Sequence, residues 1–202
     1  MRGLLKKFRA LKRDDGGAAL VEFALVSPVL ILLIMGMLDL GHRIYATAIL
    51  QGSVQKAARD ASLDDGSANA SAIDDRVKEL MLPVLQPEPI SDFEFTRKNY
   101  SDFSDVAQPE DFTDTNNDGE CNNGEPYDDV NGNDSWDADR GAAGQGNAKD
   151  AVLYTVKVTY PRLFPMAGLV GMSQDEVIQA STVVRNQPFG EQSDRGEIKN
   201  CT

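Results

Sequence analysis

The chain has one histidine, His42, two cysteines in 202 residues, and no basic residue between Glu110 and Asp139. His42 stands beside Arg43, and neither a nucleophile motif nor a Gly-rich phosphate loop accompanies it, so catalysis is not expected. The two cysteines allow a single bridge, Cys121 to Cys201, in an oxidising compartment, or else two separate thiols. Closing a loop of that length contributes about 4 kcal/mol in the chain-entropy account. No repeat of solenoid length is present. Beyond residue 17 the chain has 30 acidic side chains against 14 basic ones, and an acidic body repels phosphate backbones, which argues against nucleic-acid binding.

The formal net charge of -12 is unevenly distributed. Residues 1–17 hold six basic and two acidic side chains, a net of +4, which leaves -16 for the remainder. The basic end flanks an apolar run from Ala18 to Leu38, interrupted by one charge, Glu22. A helix of that length spans about 30 Å, the thickness of a hydrocarbon core. Positive residues on its N-terminal side place that end in the cytoplasm and send the acidic bulk across the membrane. A cleaved signal peptide has the same order of regions but a shorter apolar part, and the small-x-small candidate, Ala46-Thr47-Ala48, lies well past it. The expected division is therefore a basic leader at 1–17, a transmembrane helix at 18–40 and a translocated domain at 41–202.

Beyond the membrane the pattern becomes amphipathic. Leu40, Ile44, Ala48, Leu50, Val54, Ala57, Ala58 and Ala61 recur at mostly three- and four-residue steps, which predicts one helix continuing to about Leu63. Turn formers at 64–67 end it. A second helix is predicted from a Ser71 cap, with Ile73, Val77, Leu80 and Met81 on one face. The period then falls to two. Phe93 and Phe95 alternate with polar residues; Val152, Tyr154, Val156, Val158 and Tyr160 share a face; and Ile178, Ala180, Thr182 and Val184 share another. Helices first and strands later, without alternation, indicate an α+β fold with an antiparallel sheet packed on the helix. An acidic insertion at 110–147 separates the first two of these strands and is too polar to build a core.

The junction Gly16-Gly17-Ala18-Ala19-Leu20-Val21-Glu22-Phe23 ends a basic leader in glycine, with Glu22 and Phe23 five and six residues later. This arrangement resembles the processing motif of type IV prepilins. The stretch GAALVEFALVSPVLILLIMGMLDLG, the following RIYATAILQGSVQKAARDAS and the late ASTVVRNQPF are similar to the TadE-like minor pseudopilins of tight-adherence (Flp-type) pilus systems. The likeness is strong over residues 13–62, weaker over 177–189 and absent from the middle. It implies cleavage between Gly17 and Ala18 by a prepilin peptidase. It also implies assembly with other pilin or pseudopilin subunits on an inner-membrane platform, with later export in a pilus. On physical grounds, a carboxylate in the first turn of an apolar helix is favoured by the helix dipole yet costly in lipid, so Glu22 needs a cation. The α-amino group of a mature Ala18 lies one turn away and would supply it, fixing the stagger between packed helices much as a lone polar residue fixes coiled-coil register.

Asp114-Thr-Asn116-Asn-Asp118-Gly119-Glu120-Cys-Asn122-Asn-Gly-Glu125 fits the twelve-residue calcium-loop pattern at each defining position. Position eight, however, is Cys121, and Pro126 follows at once. A second loop repeats the spacing with Asp129, Asn131, Asn133, Asp137 and Asp139, but its twelfth residue is Arg140, so it is a partial match. Eleven acidic residues and no basic one lie between Glu110 and Asp139. Without a cation such density repels itself, and the stretch is expected to be disordered. Hard oxygen ligands favour calcium over zinc. Two functional classes follow: a structural pilus subunit, or a membrane-anchored calcium-dependent binding or adhesion protein outside any pilus.

Overall fold

The computed structural model describes residues 16–63, 70–85, 90–164, 167–168, 171–187 and 195–202. The expected basic leader, apart from its last two residues, and the turn at 64–67 lie outside them. Helix α1 runs Gly16–Leu63 with Pro28 inside it, and α2 runs Ala70–Met81. Strands follow at Asp92–Tyr100 (β1), Pro126–Asp129 (β2), Ala142–Ala143 (β3), Ala151–Pro161 (β4), Asp175–Arg185 (β5) and Glu197–Asn200 (β6). The fold is α+β. Ser71 lies inside α2, which begins at least one residue earlier, so it is not the cap; the acidic residue three positions on, Asp74, faces the sheet instead.

Two compact units divide the chain: Met1–His42 with Arg162–Gln174, and Arg43–Pro161 with Asp175–Thr202. In the first, α1 exposes Leu20, Phe23, Leu25, Val29, Leu33 and Leu38. The helix is long and apolar enough to cross a membrane. In the second, an antiparallel sheet of order β3-β1-β4-β5 carries the core. Phe95 pairs with Val156 and Val158 with Ile178, so the apolar residues of alternate positions fall on one face. That face meets Ala46, Leu50, Val54, Ala57 and Ala58 of α1 and Ile73, Val77 and Met81 of α2. Helical spacing on one side and period two on the other thus meet in a single buried layer.

The acidic stretch is ordered around a second, two-stranded sheet of β2 and the C-terminal β6. Cys121 and Cys201 are joined by a disulfide, with Cα atoms 5.5 Å apart. The Cys201 N–H donates to the Glu125 carbonyl, and the Gly124 N–H to the Cys201 carbonyl. A small aromatic cluster supports this region: Trp136 packs edge-on against Phe112, and Phe112 bridges to Tyr127.

Candidate functional site

At the head of α1, Gly17, Ala18, Glu22 and Phe23 are all exposed. Ala18 and Glu22 stand four residues apart and therefore one turn apart on the same face. A methyl group added at Gly17 would meet nothing within 4 Å. This part of the helix is thus built for an external partner or for lipid rather than for its own domain.

In the first acidic loop, Asp114 accepts backbone N–H groups from Asn117 (2.6 Å), Asp118 (3.2 Å) and Gly119 (2.9 Å). Asn116 accepts from the Asp118 N–H, and Asp118 from the Glu120 N–H. Glu125 Oε1 accepts from the N–H groups of Thr115 (2.7 Å) and Asn116 (3.3 Å), and its Oε2 from that of Asn122 (3.3 Å). Backbone φ is positive at the fourth and sixth positions, Asn117 and Gly119. The side chains at positions three, five and nine converge: Asn116 and Asn122 both donate to Asp118, each at 2.8 Å.

The second loop has the same arrangement. Asp129 accepts from the N–H groups of Gly132, Asn133 and Asp134, and φ is positive at Gly132 and Asp134, again positions four and six. Asn131 accepts from the Asn133 N–H and Asn133 from the Ser135 N–H. Asn131 and Asn133 both donate to Asp137, position nine. The missing glutamate of position twelve is supplied by Glu110, nineteen residues before the loop begins. Glu110 accepts from the N–H groups of Val130 (2.8 Å) and Asn131 (3.4 Å) through Oε1 and from that of Asp137 (3.1 Å) through Oε2. These are positions two, three and nine, the positions that bind Glu125 in the first loop. Glu110 is 1% exposed and Glu125 2%.

Asp139, expected among the second loop's oxygens, stands apart; it pairs with Lys98 at 2.7 Å and accepts from the Tyr100 hydroxyl at 3.0 Å. Lys199 of β6 instead reaches into the loop, pairing with Asp134 and lying 3.8 Å from Asp129. Sequence reasoning missed Glu110 and Lys199. The available signal for Glu110 was composition, since glutamate is the minority acid in this aspartate-rich stretch and each loop requires one. Among the described residues, no group of three or more His, Cys, Asp and Glu is placed to hold a metal ion.

Hydrogen bonding sets the charge states. Bonds from the Asn122 amide and the Glu120 N–H hold Asp118 below the usual carboxylate range. Burial acts to raise Glu125, but the N–H groups of Thr115, Asn122 and Asn116 outweigh it and leave the pKa lowered. Asp139 is likewise lowered: burial opposes, and its bonds from Lys98, Tyr100 and the Gly141 N–H prevail. The Tyr100 phenol, desolvated and bonded to Asp139, is pushed up to about 12. Lys199 is raised, chiefly by its bond to Asp134.

Residues 17–59 match the family model described as TadE-like protein. No curated protein and no solved structure matches the chain. The matched segment is the part of α1 that carries Glu22, the exposed apolar run and the first residues packed on the sheet. The likeness to TadE-like proteins therefore rests on this helix, 43 of the chain's 202 residues.

Proposed function

We propose that the chain is a pseudopilin-like structural subunit that joins a tight-adherence pilus, or the complex that initiates one, through helix packing after loss of its leader. The head of α1 carries this reading: Glu22 and Phe23 follow Gly17 at prepilin spacing on a helix whose apolar side chains are exposed, inside the TadE-like segment. The N-terminus would face the cytoplasm and the sheet domain the periplasm. A prepilin peptidase would cut after Gly17. The α-amino group of Ala18 would then neutralise Glu22 on its own or a neighbouring subunit and set the stagger of adjacent helices on the assembly platform. Intact mass of the chain recovered from inner membranes tests the first step. The expected mass begins at Ala18, whereas Gly17→Leu keeps the full-length mass; the open space around Gly17 means that this substitution leaves the fold undisturbed. Equal masses for the two chains would remove the pseudopilin reading.

A second reading concerns the loops and is compatible with the first. We propose that each loop takes one calcium ion, with Asp114, Asn116, Asp118, Glu120, Asn122 and Glu125 around the first and Asp129, Asn131, Asn133, Asp137 and Glu110 around the second. Its support is the placement of Glu110, which repeats the bonds of Glu125 from a distant part of the chain. Oxygen-only donors suit a hard cation, and extracellular-type sites have dissociation constants of about 0.1 to 1 mM. Thermal unfolding of the full chain in detergent, with and without calcium, tests it. Saturation at ten times the dissociation constant contributes about 1.4 kcal/mol per site if the unfolded chain does not bind. A melting temperature indifferent to millimolar calcium would end the proposal.

A further inference from the structure

The connection between β4 and β5 differs in chemistry from the rest of the domain. From Val158 to Gln174 the sequence holds one charge, Arg162, and no acid, in a chain with 32 acidic residues. Leu163 and Met172 are 53% and 57% exposed. Residues Arg162–Gln174 group with α1 up to His42 and not with the sheet domain.

The base of this connection is closed and tied to the helix. The Arg162 N–H donates to the Gln174 carbonyl at 2.9 Å and its Nε to the Ser173 carbonyl at 3.0 Å, while Nη1 meets Asp39 Oδ2 at 2.7 Å. Asp39 is the first charge after the apolar run that ends at Leu38, so it marks the outer edge of the hydrocarbon. Between residues 28 and 42 only Met35, Asp39 and His42 are partly covered, and they recur at i, i+4 and i+7 on one face. Met35 lies one turn, about 6 Å, to the membrane side of Asp39. The covered face therefore extends below the charged boundary.

We propose that the two arms of this connection, residues 162–164 and 171–174, rest in the lipid headgroup and upper acyl region beside α1, with Leu163 and Met172 as their apolar contacts and the Arg162–Asp39 pair fixing their depth. The proposal rests on α1 spanning the membrane. Lipid is the occupant favoured on three grounds. The loop adjoins the apolar helix surface, each of its two arms exposes a large apolar side chain, and it lacks the acids that would repel an anionic bilayer. A consequence is that the protein meets the membrane at two elements, which would limit rotation and tilt of α1.

The test uses the full chain in vesicles of phosphatidylethanolamine and phosphatidylglycerol. Cys121 and Cys201 are bonded to each other, so one added cysteine carries an environment-sensitive fluorophore without competition. Labels at Leu163→Cys and Met172→Cys should be quenched by nitroxide-bearing lipids roughly twofold or more beyond a label at Ile198→Cys, a highly exposed site on β6, because only an interfacial side chain reaches the acyl boundary. Adding Arg162→Gln should reduce that difference. Quenching equal to the Ile198 site would overturn the proposal. So would quenching relieved by excess unlabelled chain, which would identify a second copy as the occupant. A label at Leu33→Cys separates the levels: quenching there without quenching at the loop defeats the loop alone, whereas no quenching at Leu33 defeats the membrane-spanning helix and the loop together.

Discussion

Glu110 is a carboxylate with almost no exposed surface, and such a group is tolerated only when donors surround it. Three backbone N–H groups do so, and the Trp136 indole binds the Glu110 carbonyl at 2.9 Å. The residue thus closes the second loop whether or not a cation is present. Glu110→Gln retains size and one carbonyl oxygen but removes the charge and turns a donor toward N–H groups. We expect it to abolish roughly half of any calcium-dependent rise in melting temperature, with Glu125→Gln removing the other half, since each would disable one of two separate sites. If Glu110→Gln left the calcium response intact while Glu125→Gln eliminated it, only the first loop would be a site.

At the scale of elements, α2 is attached to the sheet by more than its apolar face. Asp74 accepts from the Tyr154 hydroxyl at 2.6 Å and from both Arg97 terminal nitrogens, at 2.5 and 3.1 Å, and Arg97 lies over the Tyr154 ring. The Arg97 and Asp74 side chains are 13% and 19% exposed, so this pair is better shielded than a surface ion pair. Burial and the bond to Asp74 raise the Tyr154 pKa, keeping the phenol protonated as a donor. Asp74→Ala would leave the buried Tyr154 hydroxyl without its acceptor and the shielded Arg97 guanidinium with the Ala70 carbonyl in place of a carboxylate, a cost of about 2 to 3 kcal/mol. Circular dichroism should show the melting temperature falling by about 5 to 10 °C. A change under about 1 °C would mean that Ile73, Val77 and Met81 alone hold the helix.

The same scale explains what could be read in advance. α1, α2, β1, β4 and β5 each repeat their period over nine residues or more, which is enough to distinguish 3.6 from 2. β2, β3 and β6 have four, two and four residues, too few to establish any period. In the first loop the side chains that accept backbone N–H groups are contiguous from Asp114 to Glu125, so the segment could be recognised as one unit. The second was legible only in part, because the glutamate that completes it comes from upstream and Arg140, at the nominal twelfth position, bonds to the Pro109 carbonyl. Polarity misled for a related reason. The stretch is poor in apolar residues, but its carboxylates fold it by accepting backbone N–H groups, so order does not require a large core.

For the whole molecule the decisive variable is acid. Above neutrality the body carries a large negative charge, yet Asp118, Glu125 and Asp139 all have folded-state pKa values below their ordinary ones of 3.8, 4.5 and 3.8. A carboxyl with a lowered folded pKa binds more protons in the unfolded chain than in the native one as the pH falls, so stability drops with falling pH. The contribution of these groups is complete above the ordinary values, at about pH 5 and higher, and is lost as the pH falls through the lowered folded values. Protonation also weakens the bonds that Glu125 accepts from the Thr115, Asn116 and Asn122 N–H groups and the pairing of Asp139 with Lys98. The melting temperature of the full chain in detergent should therefore be nearly level from pH 7 to 5 and fall steeply below about 4.5. In Glu125→Gln, which cannot titrate at that position, the fall should be shallower than in the native chain even though the variant is less stable at pH 7. Parallel curves for the two proteins below pH 4.5 would show that Glu125 contributes nothing to acid lability.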